Sequence, residues 1–334
     1  MEQIIYLLPI ISLIISFILY IPFINLLYKV KFVVGESNNK VDLEGKATPI
    51  FNKLHANKVG TPIGGGILMV LVTIIFAYII KYAWNLDFNN VLFCFIAFGI
   101  LGLYDDIKKL FKLNSNQLIT LRARTKFAIQ IIISSYLAYY FINNFDSLAI
   151  IPNFLILTNP ILIFGIIVFL ITFYTNAYNI SDGLDGLSIG LMVITLIPIL
   201  IFLYLFRDIS SFTFLMILLG SALAYLYFNI RPARIFLGDA GALAFGATLA
   251  YVFILNDVII LLPIIMFMYT VICMSSAIQI LSKKFRGKKI FLSAPLHHHF
   301  QAIGWEETKV VERFWVIQMV ASLLSVSLIM FLYL

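Results

Sequence analysis

IIYLLPIISLIISFILYIPFINLL, residues 4–27, runs for twenty-four residues without a charge. A helix needs about 20 mainly apolar residues to cross the hydrocarbon core of a bilayer. No small-residue cleavage signature follows this run, so it reads as a retained membrane helix and not as a cleaved signal peptide. The rest of the chain repeats its character: 62% of the 334 residues are hydrophobic, 12% are charged, and mean hydropathy is +1.03. An ordinary soluble domain has about 45–50% and about 25%. The sequence therefore predicts an all-α polytopic integral membrane protein, folded as a single domain over residues 1–334.

The apolar runs predict ten transmembrane helices, at 5–28, 61–82, 89–104, 127–143, 158–176, 187–206, 211–229, 239–255, 258–281 and 314–334. The third is short and ends on the pair Asp105-Asp106. Pro263 lies inside the ninth and predicts a kink there, with milder effects from Pro22 and Pro198 near helix ends. The segment 144–157 reads as a small hairpin or an amphipathic cap.

Ten spans place alternate connections on the same side, and the basic residues divide sharply between the two sides. Lys81 and Arg207 fall on one, and the other 21 of the 23 Lys and Arg fall on the opposite one. Positive charge marks cytoplasmic loops, so both termini are expected outside the cytoplasm. The cytoplasmic connections are then about 29–60, 105–126, 177–186, 230–238 and 282–313. The net charge of +7 is explained by this bias and calls for no nucleic-acid partner. Cys94 and Cys273 both sit in apolar runs, which excludes a disulfide framework or a cysteine metal site.

Against this background the carboxylates stand out. Asp105 and Asp106 close the third span, Asp182 and Asp185 lie between the fifth and sixth, and Asp239 opens the eighth. Ionised residues at membrane depth are costly and usually face a polar cavity. Each could be an ordinary interfacial loop residue, but together they lie among small residues or at helix starts on one face. Asp182 and Asp185 are three apart, so a helical segment would put both on one side. Gly238, Asp239 and Gly241 read as a tight turn into a helix whose free N–H groups meet an anion. Carboxylates gathered without thiols suit Mg²⁺ or Mn²⁺. Basic residues interleave with the acids, as expected where a divalent ion and cations together neutralise a phosphate or diphosphate.

The last cytoplasmic loop carries His297, His298 and His299. As a metal cluster this is weak, because adjacent side chains diverge. As a hydrogen-bonding edge beside a phosphate it is reasonable.

Six segments, KLHANKVGTPIGGG (53–66), GLYDDIKK (102–109), RARTKFAIQ (122–130), NAYNISDGLDGLSIG (176–190), FNIRPARIFLGDAGAL (228–243) and APLHHHFQAIGWEETKVVERFW (294–315), carry a family resemblance. The chain resembles the polyprenyl-phosphate N-acetylhexosamine-1-phosphate transferase superfamily, and within it the phospho-N-acetylmuramoyl-pentapeptide transferase branch. The resemblance covers essentially the full length, and the histidine segment with its GW-E continuation is its most specific part.

What the resemblance implies is a ten-helix protein, a homodimer of the bacterial cytoplasmic membrane. It would transfer phospho-N-acetylmuramoyl-pentapeptide from the UDP-linked precursor to undecaprenyl phosphate and release UMP. Asp239 would bind Mg²⁺, with Asp105 and Asp106 near the attacking phosphate. Lys109 and Lys126 would meet phosphates, with Asn179 and Asp182 at the edge. Gly183, Leu184, Asp185 and Phe236 would frame the uracil, with Lys58 and Asn229 among the substrate-binding residues. His297 and His298 would lie near the diphosphate or sugar. The chain departs from the family pattern in 51–64, at Ala242 and at Gln301. A relative using UDP-N-acetylglucosamine shares the aspartates but would not be expected to keep LHHHF with GW-E. A secondary transporter of an anionic solute would place its charges at mid-bilayer depth and show two related halves, which are not visible here.

Overall fold

The computed structural model describes residues 2–34, 58–113, 123–151, 155–257 and 259–333. A single helical turn, Glu2–Ile5, precedes α1 (Leu8–Lys29), α2 (Gly65–Trp84), α3 (Asn89–Leu113) and α4 (Ala123–Asn144). A hairpin of β1 (Leu148–Ile151) and β2 (Leu155–Leu157) follows, antiparallel and bulged, as the expectation of a small hairpin allowed. Next come α5 (Pro160–Ser181), α6 (Leu187–Leu205), α7 (Ile209–Asn229) and α8 (Asp239–Leu255). A short helical piece, Ile259–Ile265, leads into α9 (Phe267–Arg286), and α10 (Leu296–Ala302) and α11 (Glu307–Tyr333) complete the chain. Among the described residues eight helices are long and apolar enough to cross a membrane, or nine if the bent Ile259–Arg286 pair is one span. The protein is a largely membrane-spanning helical bundle.

α8 is the axis of the bundle. Apolar and small all round, as a helix buried on every side must be, it is buried from Asp239 to Ile254 and packs against α2, α3 and α5. Around it α1 lies on α7, α6 on α7 and α11, and α4 on α5. One close approach sets the site: a Cβ added to Gly102 on α3 would fall 2.1 Å from the Asp239 carbonyl oxygen at the start of α8. Only glycine lets these two backbones meet, and the meeting brings Asp105 and Asp106 to Asp239.

Two sequence expectations are corrected and a third is sharpened. α3 does not end at the aspartate pair but continues through DIKKLFKL to Leu113; these helix formers extend it although their charges end the apolar run. α11 begins at Glu307, two turns ahead of the expected start at 314, because Val310, Val311 and Phe314 bury one face of a polar-looking stretch. The bend expected in the ninth span is present, but as a full break: Pro263 stands near the start of Leu262–Ile265, where a missing N–H is harmless, and the chain bends by 82° into α9 just after it.

Gln318 of α11, fully buried, braces that bend. Its Oε1 accepts from the Met268 N–H at 3.1 Å and its Nε2 donates to the Ile265 carbonyl at 2.6 Å. A break in an apolar bundle is tolerated when side chains re-satisfy the freed backbone groups. Cys94 is core filler, buried and unpaired, and Cys273 is also a free thiol.

Candidate active site

The N-terminus of α8 is where the first group of acids assembles. Asp105, Asp106 and Asp239 are all buried. Gly238, at φ 79°, has no side chain to cap α8. Asp106 does so from α3, its Oδ1 accepting from the Asp239 N–H and its Oδ2 from the Ala240 N–H, each at 3.0 Å. The first N–H groups of α8, expected to be free for an outside anion, are thus taken by a carboxylate of the chain itself. Asp105, one residue earlier, turns to Lys126 on α4, whose Nζ lies 3.2 Å from Asp105 Oδ2 and also bonds Asp239 Oδ2.

Asp182 and Asp185 occupy a turn between α5 and α6 and not a helix, so they do not share a helical face. Asp182 Oδ1 accepts from Ser188 Oγ at 2.5 Å. Burial above all, with smaller contributions from Asp239 and Asp185 and against the Ser188 hydroxyl and Lys58, pushes its carboxyl up to about 6 from an ordinary 3.8. Asp185 turns away to Lys58, whose Nζ is 2.7 Å from its Oδ1, while its Oδ2 accepts from the Ala233 N–H at 3.2 Å. Asn179 stands on the last turn of α5, its carbonyl accepting from the Asp182 N–H.

The turn is held against the loop 230–238. Asn229 is buried, with Oδ1 accepting from the Gly186 N–H at 3.0 Å and Nδ2 donating to the Ile235 carbonyl at 2.9 Å. Phe236 is half-buried, and the Lys58 ammonium lies 5.6 Å from its ring centroid. Its carbonyl accepts from the N–H groups of Gly64 and Gly65, which ties the segment after Lys58 to the same loop. Leu184, within the turn, is buried.

His297 and His298 enter from α10, both buried, with ring centroids 4.2 Å apart. The His297 ring lies on Gly183: a Cβ there would come 2.5 Å from its Nε2. His298 Nδ1 shares a hydrogen bond of 2.9 Å with Gln301 Oε1, so the amide at 301 supplies the contact that a carboxylate would make. Lys109 lies on α3 with its side chain outside the described residues, and His55 also falls outside them.

These placements leave the aspartates, Lys58, Lys126 and the two histidines around one region, fed by α3, α4, the α5–α6 turn, the start of α8 and α10. The model for glycosyl transferase family 4 matches residues 88–257. A phospho-N-acetylmuramoyl-pentapeptide-transferase of Clostridium acetobutylicum is 35% identical over 94% of this chain and 96% of its own. The Clostridium kluyveri protein of the same name is 37% identical over 82% and 86%, and that of Caldanaerobacter subterraneus subsp. tengcongensis 34% over 91% and 92%.

The chain belongs to the phospho-N-acetylmuramoyl-pentapeptide-transferase family.

A largely buried charge cluster joins Lys58 and Asp185, both expected at the site, to two residues that the sequence did not place there. Glu307, at the start of α11, has its Oε1 2.7 Å from Lys58 Nζ and accepting from the Asp185 N–H at 2.8 Å; its Oε2 is 3.1 Å from Arg231 Nη1. Glu307 stood in the GW-E signature and Arg231 among the positive-inside charges. Neither hydropathy nor spacing joins them, because the contact crosses between loops far apart in the chain.

Proposed function

We infer that this chain transfers phospho-N-acetylmuramoyl-pentapeptide from its UDP-linked donor to undecaprenyl phosphate. The products are the first lipid-linked peptidoglycan intermediate and UMP. The observation that carries the chemistry is the convergence of Asp105 and Asp239, from two helices, on the single cation of Lys126. Two hard oxygen donors around one positive charge fit Mg²⁺, which is commonly held by one or two carboxylates together with waters and substrate phosphates. Among the described residues no group of three or more His, Cys, Asp or Glu gathers as a ready-made cage, and such a site does not require one. Asp239, with Asp105 beside it, would hold Mg²⁺ or, in its place, Mn²⁺; when bound, the ion neutralises diphosphate charge.

The chain's own groups then divide the work. Both Asp106 oxygens are engaged in capping α8, which leaves Asp105 as the carboxylate to face the acceptor phosphate and hold its proton. Lys126, with Lys109, would balance the phosphates as the acceptor oxygen attacks the donor β-phosphate in line and UMP departs. The turn of Gly183, Leu184 and Asp185, with Lys58, Asn229 and Phe236, would bind the uridine half, with Asn179 and Asp182 at its edge. His297 and His298 would border the diphosphate or sugar.

In the same reading α8 and the bent pair complete ten crossings of one domain, 1–334, both termini lie outside, and the site faces the cytoplasm of a bacterial cell in a homodimer. The division of 21 basic residues against two supports that orientation. Single cysteines at Val59 and Lys288, in a background lacking Cys94 and Cys273, are expected to react only from the cytoplasmic side, and one at Asp146 only from outside. Reversed labelling would overturn the topology.

For the chemistry, purified Asp239→Asn is expected to release UMP at least about a thousandfold more slowly with Mg²⁺ present. Turnover near wild type would exclude the metal role. Use of UDP-N-acetylglucosamine in place of the muramoyl donor would reassign the branch.

A further inference from the structure

We propose that Glu307 is the positioning residue of the donor pocket, holding Lys58 and the Gly183–Asp185 main chain in register for the uridine diphosphate. The proposal rests on the function inferred above and extends it to a residue outside the aspartate motifs.

Three acids lie close together in this stretch, and the structure treats them differently. Glu306 and Glu312 are exposed, whereas Glu307 is 6% exposed. An acid in the first turn of a helix has an ordinary explanation, the favourable field of the helix N-terminus. Glu307 does not use its carboxylate that way: each of its bonds leaves α11 for another segment. Oε1 receives the Lys58 ammonium and the Asp185 N–H, and Oε2 receives the Arg231 guanidinium.

The cluster is charge-balanced, with two cations and two carboxylates drawn from the segment before α2, the α5–α6 turn, the 230–238 loop and α11. Removing one buried member leaves the others uncompensated, which is far costlier than losing a surface pair.

Lys58 is the member with the clearest chemical task. Its ammonium lies between Asp185 and Glu307 and near the face of Phe236. Held by Asp185 alone, it would be drawn toward that carboxylate. With Glu307 Oε1 at the same 2.7 Å, it is shared by two carboxylates, and a donor oxygen can join them. Glu307 also fixes the Asp185 N–H, and so the path of the turn on which Gly183 and Leu184 sit. Its effect is therefore expected on donor binding and not on the acceptor.

The test uses the purified full chain in detergent. Glu307→Gln keeps the shape and an acceptor but removes the charge and turns an amide donor toward Lys58 or Arg231. KM for the UDP-linked donor should rise at least about tenfold, and inhibition by UMP should weaken in parallel. kcat and KM for undecaprenyl phosphate should stay within about threefold. Glu307→Asp, which restores the charge, should recover part of the donor affinity.

Lys58→Met should raise donor KM alone, and adding Glu307→Gln to it should raise it less than about threefold further, because the two act through one contact. Arg231→Gln, altering a residue at the exposed edge of the cluster, should weaken donor binding about threefold and decides the matter if the Glu307 variants fail to fold. Equal losses for both substrates, fully multiplicative effects of the two substitutions, or an unchanged donor KM in Arg231→Gln when it is the deciding arm, would overturn the proposal. A wild-type protein that ignores the muramoyl donor would overturn the function instead.

Discussion

The carboxylate of Asp106 on α3 caps the helix that begins at Asp239, its two oxygens accepting from the Asp239 and Ala240 N–H groups at 3.0 Å. The two aspartates of the GLYDDIKK segment are therefore not equivalent. One holds the start of α8 in place, and its neighbour reaches Lys126.

This asymmetry separates stability from turnover. Asp106→Asn turns an N–H donor toward a backbone N–H and should lower unfolding free energy by about 1–3 kcal/mol. Asp105→Asn should abolish turnover while costing little stability. Thermal unfolding of the two purified variants, read beside UMP release, checks both. Similar melting temperatures for the pair would refute the division.

Lys126 occupies the place between Asp105 and Asp239 where a divalent ion is inferred. Lys126→Met removes a competing charge, so Mn²⁺ should bind the substrate-free protein about threefold to tenfold more tightly, measured by paramagnetic resonance. Turnover should nevertheless fall, since the same ammonium is inferred to balance the phosphates. Weaker Mn²⁺ binding would count against a shared seat.

Asp182 makes stability depend on pH. Its carboxyl is raised to about 6 by burial, so the folded chain binds that proton more tightly than the unfolded one. Stability should therefore rise as pH falls from about 6 toward 3.8, and it is lowest when the group is charged. Asp182→Asn keeps an acceptor for Ser188 and cannot ionise. It should melt higher than wild type at pH 7.5, with the difference closing between pH 6 and pH 4. A difference that does not change with pH would contradict the raised value.

Gln318 is the fourth case. Gln318→Leu leaves the Met268 N–H and the Ile265 carbonyl without their amide at the 82° bend, and should destabilise the protein by about 2–4 kcal/mol. Gln318→Glu keeps one acceptor but loses the donor, so it should not rescue. Detergent thermal melts distinguish these from an unbraced bend, which would tolerate leucine.

The elements that the sequence located best are those whose signal is local. The starts at Asn89, Leu187 and Asp239 and the ends at Asn229 and Leu255 match, because composition changes abruptly there. The C-terminal end of α3 and the start of α11 were missed, since a helix leaving the apolar layer keeps its hydrogen bonds but loses its hydropathy. In the site, the grouping of the aspartates was legible from their common side. The capping role of Asp106 was not, because it depends on Gly102 letting two backbones meet. The Lys58, Asp185, Arg231 and Glu307 cluster was hidden for the same reason: it is a tertiary contact with no periodicity.

That cluster also sets an order for making the protein. Its members enter the chain at 58, 185, 231 and 307, so a nascent chain released into the membrane with its first seven long helices still lacks the carboxylate that clasps them. Until α11 is synthesised, Lys58, Asp185 and Arg231 carry an unbalanced positive charge. The cluster is then completed only when α11 leaves the ribosome, and a protein stalled before it would sit in the bilayer with Asp105, Asp106 and Asp239 present and Lys58 and Arg231 still without their shared carboxylate.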